Sequence, residues 1–188
     1  MQAFATPEDL GLRMKRVFTV DEKTWVETLL QDASGYLRSL TVWELYPRRQ
    51  ATFRAWPGGR GNILLPQHPV VSVDAVTSIA GAPVAWTFRD DSVYVRDREE
   101  KRVTFTFGYD APPPELRRWA CVLVSQAILP IELELGMSIG GLSSVQLDDF
   151  RVAFANGGEQ TGMQLSERNE QRIRRDFGPP MIRSVETG

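Results

Sequence analysis

The chain of 188 residues is long enough to bury a core without metals or disulfides, and its 42% hydrophobic content with five tryptophans is typical of a globular protein rather than a disordered one. The 22 basic residues nearly balance the 24 acidic ones, which disfavours a dedicated DNA- or RNA-binding protein. A single cysteine, Cys121, excludes an intrachain disulfide. No apolar run approaches the roughly 20 residues of a membrane span, and no signal peptide is evident, so we expect synthesis in the cytoplasm of the producing cell.

The N-terminal quarter of the sequence predicts two helices. In "TPED", Thr6 has the position of an N-cap and Asp9 can bond back to the cap backbone, so a short helix is expected to end near Gly11 or slightly beyond. The stretch "TVDE", 19–22, has the same spacing, and the longer helix behind it carries apolar residues every three or four positions. Pro47 bounds this second helix, because the residue before a proline avoids the helical conformation.

Residues 48–109 change to the period of two that is typical of strands. The charged stretch "RDREEK", 96–101, is expected to be a hairpin tip. The segment therefore predicts a small antiparallel β domain inserted between helices. In its clearest strand the residues expected to point to one side are Val103, Phe105, Phe107 and Tyr109.

The helical period returns after "PPPEL", and Pro130 is expected to kink or end this third helix. A final charged helix is expected between Ser166, as its cap, and Gly178. Between these helices lies a glycine-rich segment, 138–160, whose "VQL" and "FRVAF" stretches predict short strands with no evident partner. Because an unpaired strand edge pairs readily with another chain, we interpret the segment as an arm or hairpin that reaches a neighbouring subunit. The alternative is a self-contained hairpin packed on its own core.

These elements predict an α+β fold, in which a small helical bundle carries an inserted antiparallel β domain and a long C-terminal arm or hairpin. The predicted segments are the N-terminal helices of the bundle (1–47), the inserted β domain (48–109), the long bundle helix (110–135), the extended arm or hairpin (136–165), and the C-terminal helix and tail (166–188).

Catalytic signatures are missing from the sequence. His68 is the sole histidine and has no G-x-S-x-G elbow with it, and Cys121 has the position of a small buried thiol on a helix. One histidine and one cysteine that are far apart do not make a zinc site, and no glycine pair matches a phosphate-binding loop. We therefore expect no enzymatic activity, no metal and no cofactor.

Several segments in this order resemble phage head–tail connector proteins, also called adaptor or head-completion proteins, of the kind found in actinophages. They are "TPEDLGLRM", "LLQDASGYLRSL", "LPQHPVVSVDAVTSIAGAPV", "VTFTFGYDAPPPELRRWACVLVSQAIL" and "SIGGLSSVQL". The likeness covers roughly residues 5–177. It implies a small helical domain with a β insertion.

The resemblance also implies a role in the neck of the virion. Connectors form a homomeric ring, typically of twelve copies, beneath the portal protein, and they join the DNA-filled head to the next neck ring or the tail terminator protein. DNA passes through the lumen without sequence-specific binding. Connectors have neither enzymatic activity nor a cofactor, and membranes are not among the expected partners.

Three sets of residues are candidates for these contacts. For the subunit or ring interface they are Ile139, Leu142, Val145, Leu147, Phe150, Val152 and Phe154. For docking on the portal, which the resemblance assigns to the C-terminal helix and tail, they are Arg168, Arg172, Arg174, Arg175, Phe177, Met181 and Ile182. For a neutral or acidic lumen that does not hold phosphates, they are Glu132, Glu134, Asp148 and Asp149.

Two other functions stay open on the sequence. One is a different neck or tail structural protein, such as a stopper or closure protein, although those are mainly β and the helix signals here argue against it. The other is a carbohydrate-binding module in which Trp56 and Trp86 form a stacking platform.

Overall fold

The computed structural model describes residues 2–134 and 163–179, and these residues form a mixed α+β fold, as the sequence predicts. The helices in this part of the chain are α1 (Pro7–Met14), α2 (Val20–Thr41), α3 (Pro114–Glu134) and α4 (Glu167–Phe177). The strands are β1 (Arg49–Ala55), β2 (Asn62–Leu64), β3 (Val70–Ser78), β4 (Trp86–Arg89), β5 (Ser92–Val95) and β6 (Lys101–Phe107).

Both predicted capping boxes are present. The backbone N–H of Asp9 donates to the Thr6 hydroxyl at 3.2 Å, and the backbone N–H of Thr6 donates to the Asp9 carboxylate at 2.9 Å. Thr19 and Glu22 repeat this exchange at the start of α2. Each box satisfies two backbone donors that a helix otherwise leaves unpaired, so both helices begin where the sequence predicts.

The helices enclose one cluster of buried side chains. Its members come from α1 to α4 and from the segments beside them: Phe4, Ala5, Leu10, Phe18, Val26, Leu30, Ala33, Leu37, Leu40, Leu45, Leu116, Trp119, Ala120, Cys121, Leu123, Val124, Ile128, Leu165 and Ile173. The three- and four-residue spacing within α2 and α3 places these side chains on one face of each helix, and burying them is the main favourable contribution to the stability of this part.

The contacts of α4 indicate that helices α2 and α3 run antiparallel. Glu170 of α4 accepts a hydrogen bond from Tyr36, which lies in the second half of α2. Two residues later, Arg172 donates to Glu115, at the start of α3, at 3.1 Å. The second half of α2 therefore faces the beginning of α3, so the first turn of α2 and the last turn of α3 lie at one end of the helical body. We call this the distal end.

The strands form two three-stranded antiparallel sheets with a second buried cluster between them. The first sheet has the order β1-β6-β3 and the second the order β2-β5-β4. Inward-facing residues alternate with outward-facing ones along β6, as the period of two predicts. The buried members of this cluster are Ile63, Leu65, Val76, Val93, Val95, Val103, Phe105 and Phe107.

The sheets join the helical body where β6 ends. Gly108 has φ +87°, and an added Cβ would lie 3.2 Å from the backbone oxygens of both Leu45 and Pro47, so a larger residue fits poorly there. The next residue, Tyr109, donates its backbone N–H to the Leu45 oxygen at 2.8 Å. Two separate buried clusters with this junction favour the division into a helical body with an inserted β domain, which remains a proposal.

The structure corrects three expectations from the sequence. Residues 96–101 are not a hairpin tip, because β5 and β6 belong to different sheets and the segment crosses between them. Tyr109 does not continue the inward face of β6, since the turn at Gly108 ends the strand and leaves Tyr109 exposed. Of the two outcomes expected at Pro130, an end of the helix is wrong, because α3 continues to Glu134. A proline this close to the C-terminus of a helix removes only one hydrogen bond of the last turns.

Candidate functional site

The two reactive side chains of the sequence lie in packed surroundings. The His68 ring lies 4.4 Å from the Trp43 ring, centroid to centroid, and its Nδ1 is 3.6 Å from the Asp91 carboxylate. Cys121 is buried in the helical cluster, and desolvation there raises the pKa of its thiol to about 11. Among the described residues, no group of three or more His, Cys, Asp or Glu side chains is placed to hold a metal ion.

Helix α4 is docked on the helical body by both apolar and polar contacts. Ile173 and Leu165 are buried in the helical cluster. The Tyr36 hydroxyl donates to Glu170 and accepts from the Leu165 backbone N–H at 3.3 Å. Ser166 occupies the N-cap position, but its side chain makes no capping hydrogen bond in the described structure, which differs from the expected cap.

The arginines of α4 are exposed and mostly paired with acidic groups of the same chain. Arg172 contacts Glu115 at 3.1 Å, and Arg174 contacts Glu170 at 3.2 Å. Arg175 contacts Asp176 at 3.0 Å, and Arg168 is exposed. Because exposed ion pairs contribute little stability, these side chains can exchange their present partners for others at small cost.

The remaining predicted contact residues fall into three groups. Phe177 is partly buried against the helical cluster, so its ring already has a partner within the chain. Glu132 and Glu134 lie in the last turn of α3, at the distal end. Outside the described residues lie the whole predicted ring-interface set (Ile139, Leu142, Val145, Leu147, Phe150, Val152 and Phe154), the lumen candidates Asp148 and Asp149, and the docking candidates Met181 and Ile182.

The structure reveals an exposed apolar surface that the sequence analysis missed. Leu12 at the end of α1, Val17 in the connection and Val20 at the start of α2 are 81%, 91% and 82% exposed. We call these three residues the α1–α2 patch. In the sequence, Val17 stands beside the buried Phe18 without any periodic signal to separate them, so only coordinates distinguish the two.

A cleft of about 520 Å³ adjoins this patch. It is lined by Pro7, Glu8, Gly11, Leu12, Lys15, Arg16, Val17, Phe18 and Lys23, and its walls are mainly apolar. It exists because α1 ends abruptly: Lys15 adopts the left-handed conformation (φ 53°), and the backbone N–H of Arg16 donates to the Gly11 oxygen at 3.0 Å.

Ion pairs flank the cleft. Lys23 contacts Glu8 at 2.7 Å, and this hydrogen bond is the main reason that the pKa of the Glu8 carboxyl is lowered. Arg16 pairs with Glu22. The pKa of Glu22 is also lowered, chiefly by the hydrogen bond from the Thr19 backbone. The cleft thus has an apolar floor and a charged rim that includes the exposed Lys15.

The two tryptophans proposed as a stacking platform differ in their surroundings. Trp56 is 69% exposed just after β1. Trp86, at the start of β4, is partly buried against the β cluster. One of the two rings is therefore used in packing, which weakens the case for a carbohydrate-binding module.

In the part of the chain that the structure describes, no helix is long and apolar enough to cross a membrane. Neither a protein-family model nor a curated protein matches the chain. One solved structure that resembles it is the neck of an empty GTA particle computed with C6 symmetry, with 21% sequence identity and a TM-score of 0.47 over 73% of this chain and 80% of that chain. A likeness of this size does not establish a shared fold or a shared role.

Proposed function

We propose that this protein is a structural component of the neck of a tailed phage, a head-to-tail connector whose copies form a ring beneath the portal and surround the DNA channel. The observation that carries the proposal is the ordered series of sequence segments over residues 5–177 that resembles connectors. The α+β organisation, with strands between helices, is the one that this resemblance implies. On this proposal the protein is not an enzyme and needs no cofactor.

The surface of the helical body supports a role as one subunit of an assembly. A closed ring of identical copies requires two different faces on each subunit that fit one another. Large aliphatic side chains that are almost fully exposed together are unfavourable in water and mark contact surfaces. The α1–α2 patch is such a surface on the described residues.

We propose that α4 and the tail beyond it dock on the portal. The helix presents Arg168 and the weakly paired Arg172, Arg174 and Arg175 to solvent, where acidic groups of a partner can replace the present ones. Phe177 anchors the end of α4 to its own body instead. Portal contacts of an apolar kind are therefore assigned to the tail, with Met181 and Ile182.

We assign acidic groups to the lumen of the ring. A strongly basic lumen would hold DNA phosphates and slow the passage of DNA. The candidates are Glu132 and Glu134 at the end of α3, and Asp148 and Asp149 beyond the described residues. Mapping of a basic ring at the pore would contradict this assignment.

Electron microscopy of the purified protein mixed with portal-containing heads tests the proposed function. We expect a collar at the portal vertex. A variant that ends at Pro179 keeps all of α4, including the packed Phe177, and removes only the tail. It should fold with an unchanged circular dichroism spectrum and bind heads at least tenfold more weakly.

Two results would contradict the proposals. Heads without a collar at any protein concentration would exclude the connector role. Full binding by the variant that ends at Pro179 would exclude docking by the tail, while a collar in that case would keep the connector role itself.

A further inference from the structure

The α1–α2 patch and its cleft have no covering group among the described residues. Leu12, Val17 and Val20 are each more than four-fifths exposed. Leu12 and Val17 also line the apolar cleft of about 520 Å³. A cleft of this volume is within the range of sites that hold a ligand or a short peptide. Its occupant is open to inference from the rest of the chain.

Of the patch residues, Val20 lies at the start of α2, and the chain leaves the described structure at Glu134, the end of α3. Because α2 and α3 are antiparallel, the start of α2 and Glu134 both lie at the distal end. The chain returns at Met163 and Leu165, next to Tyr36. Tyr36 is 16 positions beyond Val20, which corresponds to about 24 Å along a helix axis.

The intervening segment is much longer than this return requires. An extended chain spans about 3.3 Å per residue, so about eight residues cover the distance. Residues 135–162 provide 28. Because both ends of the segment are attached to the body, a surplus of about 20 residues has to run out and back, so it reaches about 33 Å from the surface. This is enough to contact an adjacent copy packed against that surface.

The composition of this segment matches the cleft. "VQLDDF", 145–150, places apolar Leu147 and Phe150 on either side of two aspartates. The mainly apolar walls of the cleft can contact Leu147 and Phe150. The exposed Lys15 at its rim can form an ion pair with one of the two aspartates. Protein interfaces commonly have an apolar core and a polar or charged rim, and this contact would have both.

We propose that residues 145–150 of a second copy occupy the cleft beside the α1–α2 patch. This inference rests on the proposed function, since a ring brings copies side by side. It assigns Asp148 and Asp149 to the contact between copies and leaves Glu132 and Glu134 as the lumen candidates. Each copy then gives its segment to one neighbour and receives a segment from the other, which is the head-to-tail arrangement that a ring requires.

Disulfide trapping between two variants tests this contact. Both carry Cys121→Ala to remove the native thiol; one adds Val17→Cys and a size tag, the other Leu147→Cys. After mixing and mild oxidation, we expect a hybrid band of tagged plus untagged chain on a non-reducing gel. A mixture of Val17→Cys with Arg89→Cys, an exposed position in the β domain, is the matched control and should give at least tenfold less hybrid.

The other outcomes overturn the proposal. A chain carrying both Val17→Cys and Leu147→Cys that closes on itself, with no hybrid in the mixture, would place the segment on its own copy. No cross-link in either experiment would place the segment elsewhere. A collar on heads without a hybrid band would remove this contact and keep the neck role, whereas a hybrid band without a collar would keep the contact and remove the neck role.

A charge substitution gives an independent measurement. Val17→Asp should leave folding unchanged because Val17 is 91% exposed, and should reduce the self-associated fraction in sedimentation velocity at least tenfold. Val42→Asp changes another exposed valine, at the far end of α2, and should leave association unchanged. Equal association of both variants with the unaltered protein would overturn the proposal.

Discussion

The hydroxyl of Tyr36 on α2 donates a hydrogen bond to the carboxylate of Glu170 on α4, and the same oxygen accepts one from the Leu165 backbone N–H at 3.3 Å. One phenol thus connects the long helix to both the start of α4 and the segment that enters it. Ile173, buried one turn later, completes the attachment. The position of α4, and of the charged surface that we assign to the portal contact, depends on this group.

Replacement of Tyr36 by phenylalanine should loosen α4. The change keeps the ring and removes both hydrogen bonds, one of them to a charged group, so we expect the free energy of unfolding to fall by about 1–2 kcal/mol. Urea denaturation measures the loss, and limited proteolysis should cut earlier within 163–179. Tyr109→Phe, at an exposed phenol, is the control and should change stability by less than about 0.5 kcal/mol.

Stability at high pH should depend on the same phenol. Burial and then the hydrogen bond to Glu170 raise the pKa of Tyr36 above its ordinary value of 10.0. A pKa that is higher in the folded state stabilises the fold fully below the unfolded value, and this contribution is lost as pH rises through the folded value. The stability difference between the unaltered protein and Tyr36→Phe should therefore shrink above pH 10, as urea titrations at several pH values can show. A difference that grows with pH would contradict the assignment.

The buried cation of the β domain gives a third prediction. Lys101 is 1% exposed, on the inward face of β6, and its ammonium group pairs with Asp97 and lies 4.0 Å from Glu99. Removing Asp97 leaves the buried ammonium group with only the more distant Glu99, whereas replacing the cation by an apolar side chain removes the buried charge. Asp97→Asn should therefore lower the urea midpoint, and Lys101→Met should leave it unchanged or raise it. A urea midpoint of Lys101→Met below that of the unaltered protein would contradict this prediction and show that the pair is net stabilising.

The sequence predicted well those features that depend on residues close to one another in the chain. Both capping boxes are fixed by residues three positions apart, and the period of two in β6 follows directly from burial on one side of a sheet. The prediction of a hairpin tip at 96–101 was wrong because the sheet to which a strand belongs depends on residues far away in the sequence. Strands β5 and β6 follow one another in the chain, yet they pair with different strands. Nothing within those six residues records that choice.

The surfaces were less predictable than the elements. The charge pattern of α4 indicated an exposed helix, but the partly buried Phe177 depends on how the helix lies on α2. The sequence could not predict the α1–α2 patch, because Val17 and Phe18 are adjacent apolar residues. Which of them is buried in the core depends on the left-handed turn at Lys15. The predicted ring-interface residues lie outside the described part of the chain, so they stay a prediction.

Native Cys121 should be nearly inert to thiol reagents. Its pKa of about 11, against an ordinary value of 9.0, reduces the thiolate fraction near pH 8 by about 100-fold, and burial adds a steric barrier. Labelling with iodoacetamide should therefore be slow in buffer and fast in urea. Val42→Cys in a Cys121→Ala background provides an exposed thiol outside the α1–α2 patch for comparison and should react at similar rates in both conditions. Fast labelling of native Cys121 would show that the helical core opens readily.

The close approach of Gly11 to the backbone of Arg16, beside the cleft, gives the last prediction. A Cβ added to Gly11 would lie 2.7 Å from the backbone oxygen of Arg16, in the turn that ends α1. Because backbone atoms cannot move aside without disturbing that turn, Gly11→Ala should lower the free energy of unfolding by about 1–3 kcal/mol. It should also deform the cleft and reduce the hybrid disulfide that we expect there.

Gly35→Ala is the matched control for Gly11→Ala. Gly35 lies exposed within α2, and nothing stands within 4 Å of an added Cβ. Alanine there should raise the free energy of unfolding by about 0.5–1 kcal/mol, because it restricts the unfolded chain and favours the helix. Urea midpoints that move in opposite directions for the two variants would support the tight turn at Gly11. Equal stabilisation by both would mean that α1 ends without the close contact, and that the cleft is not a fixed feature of the fold.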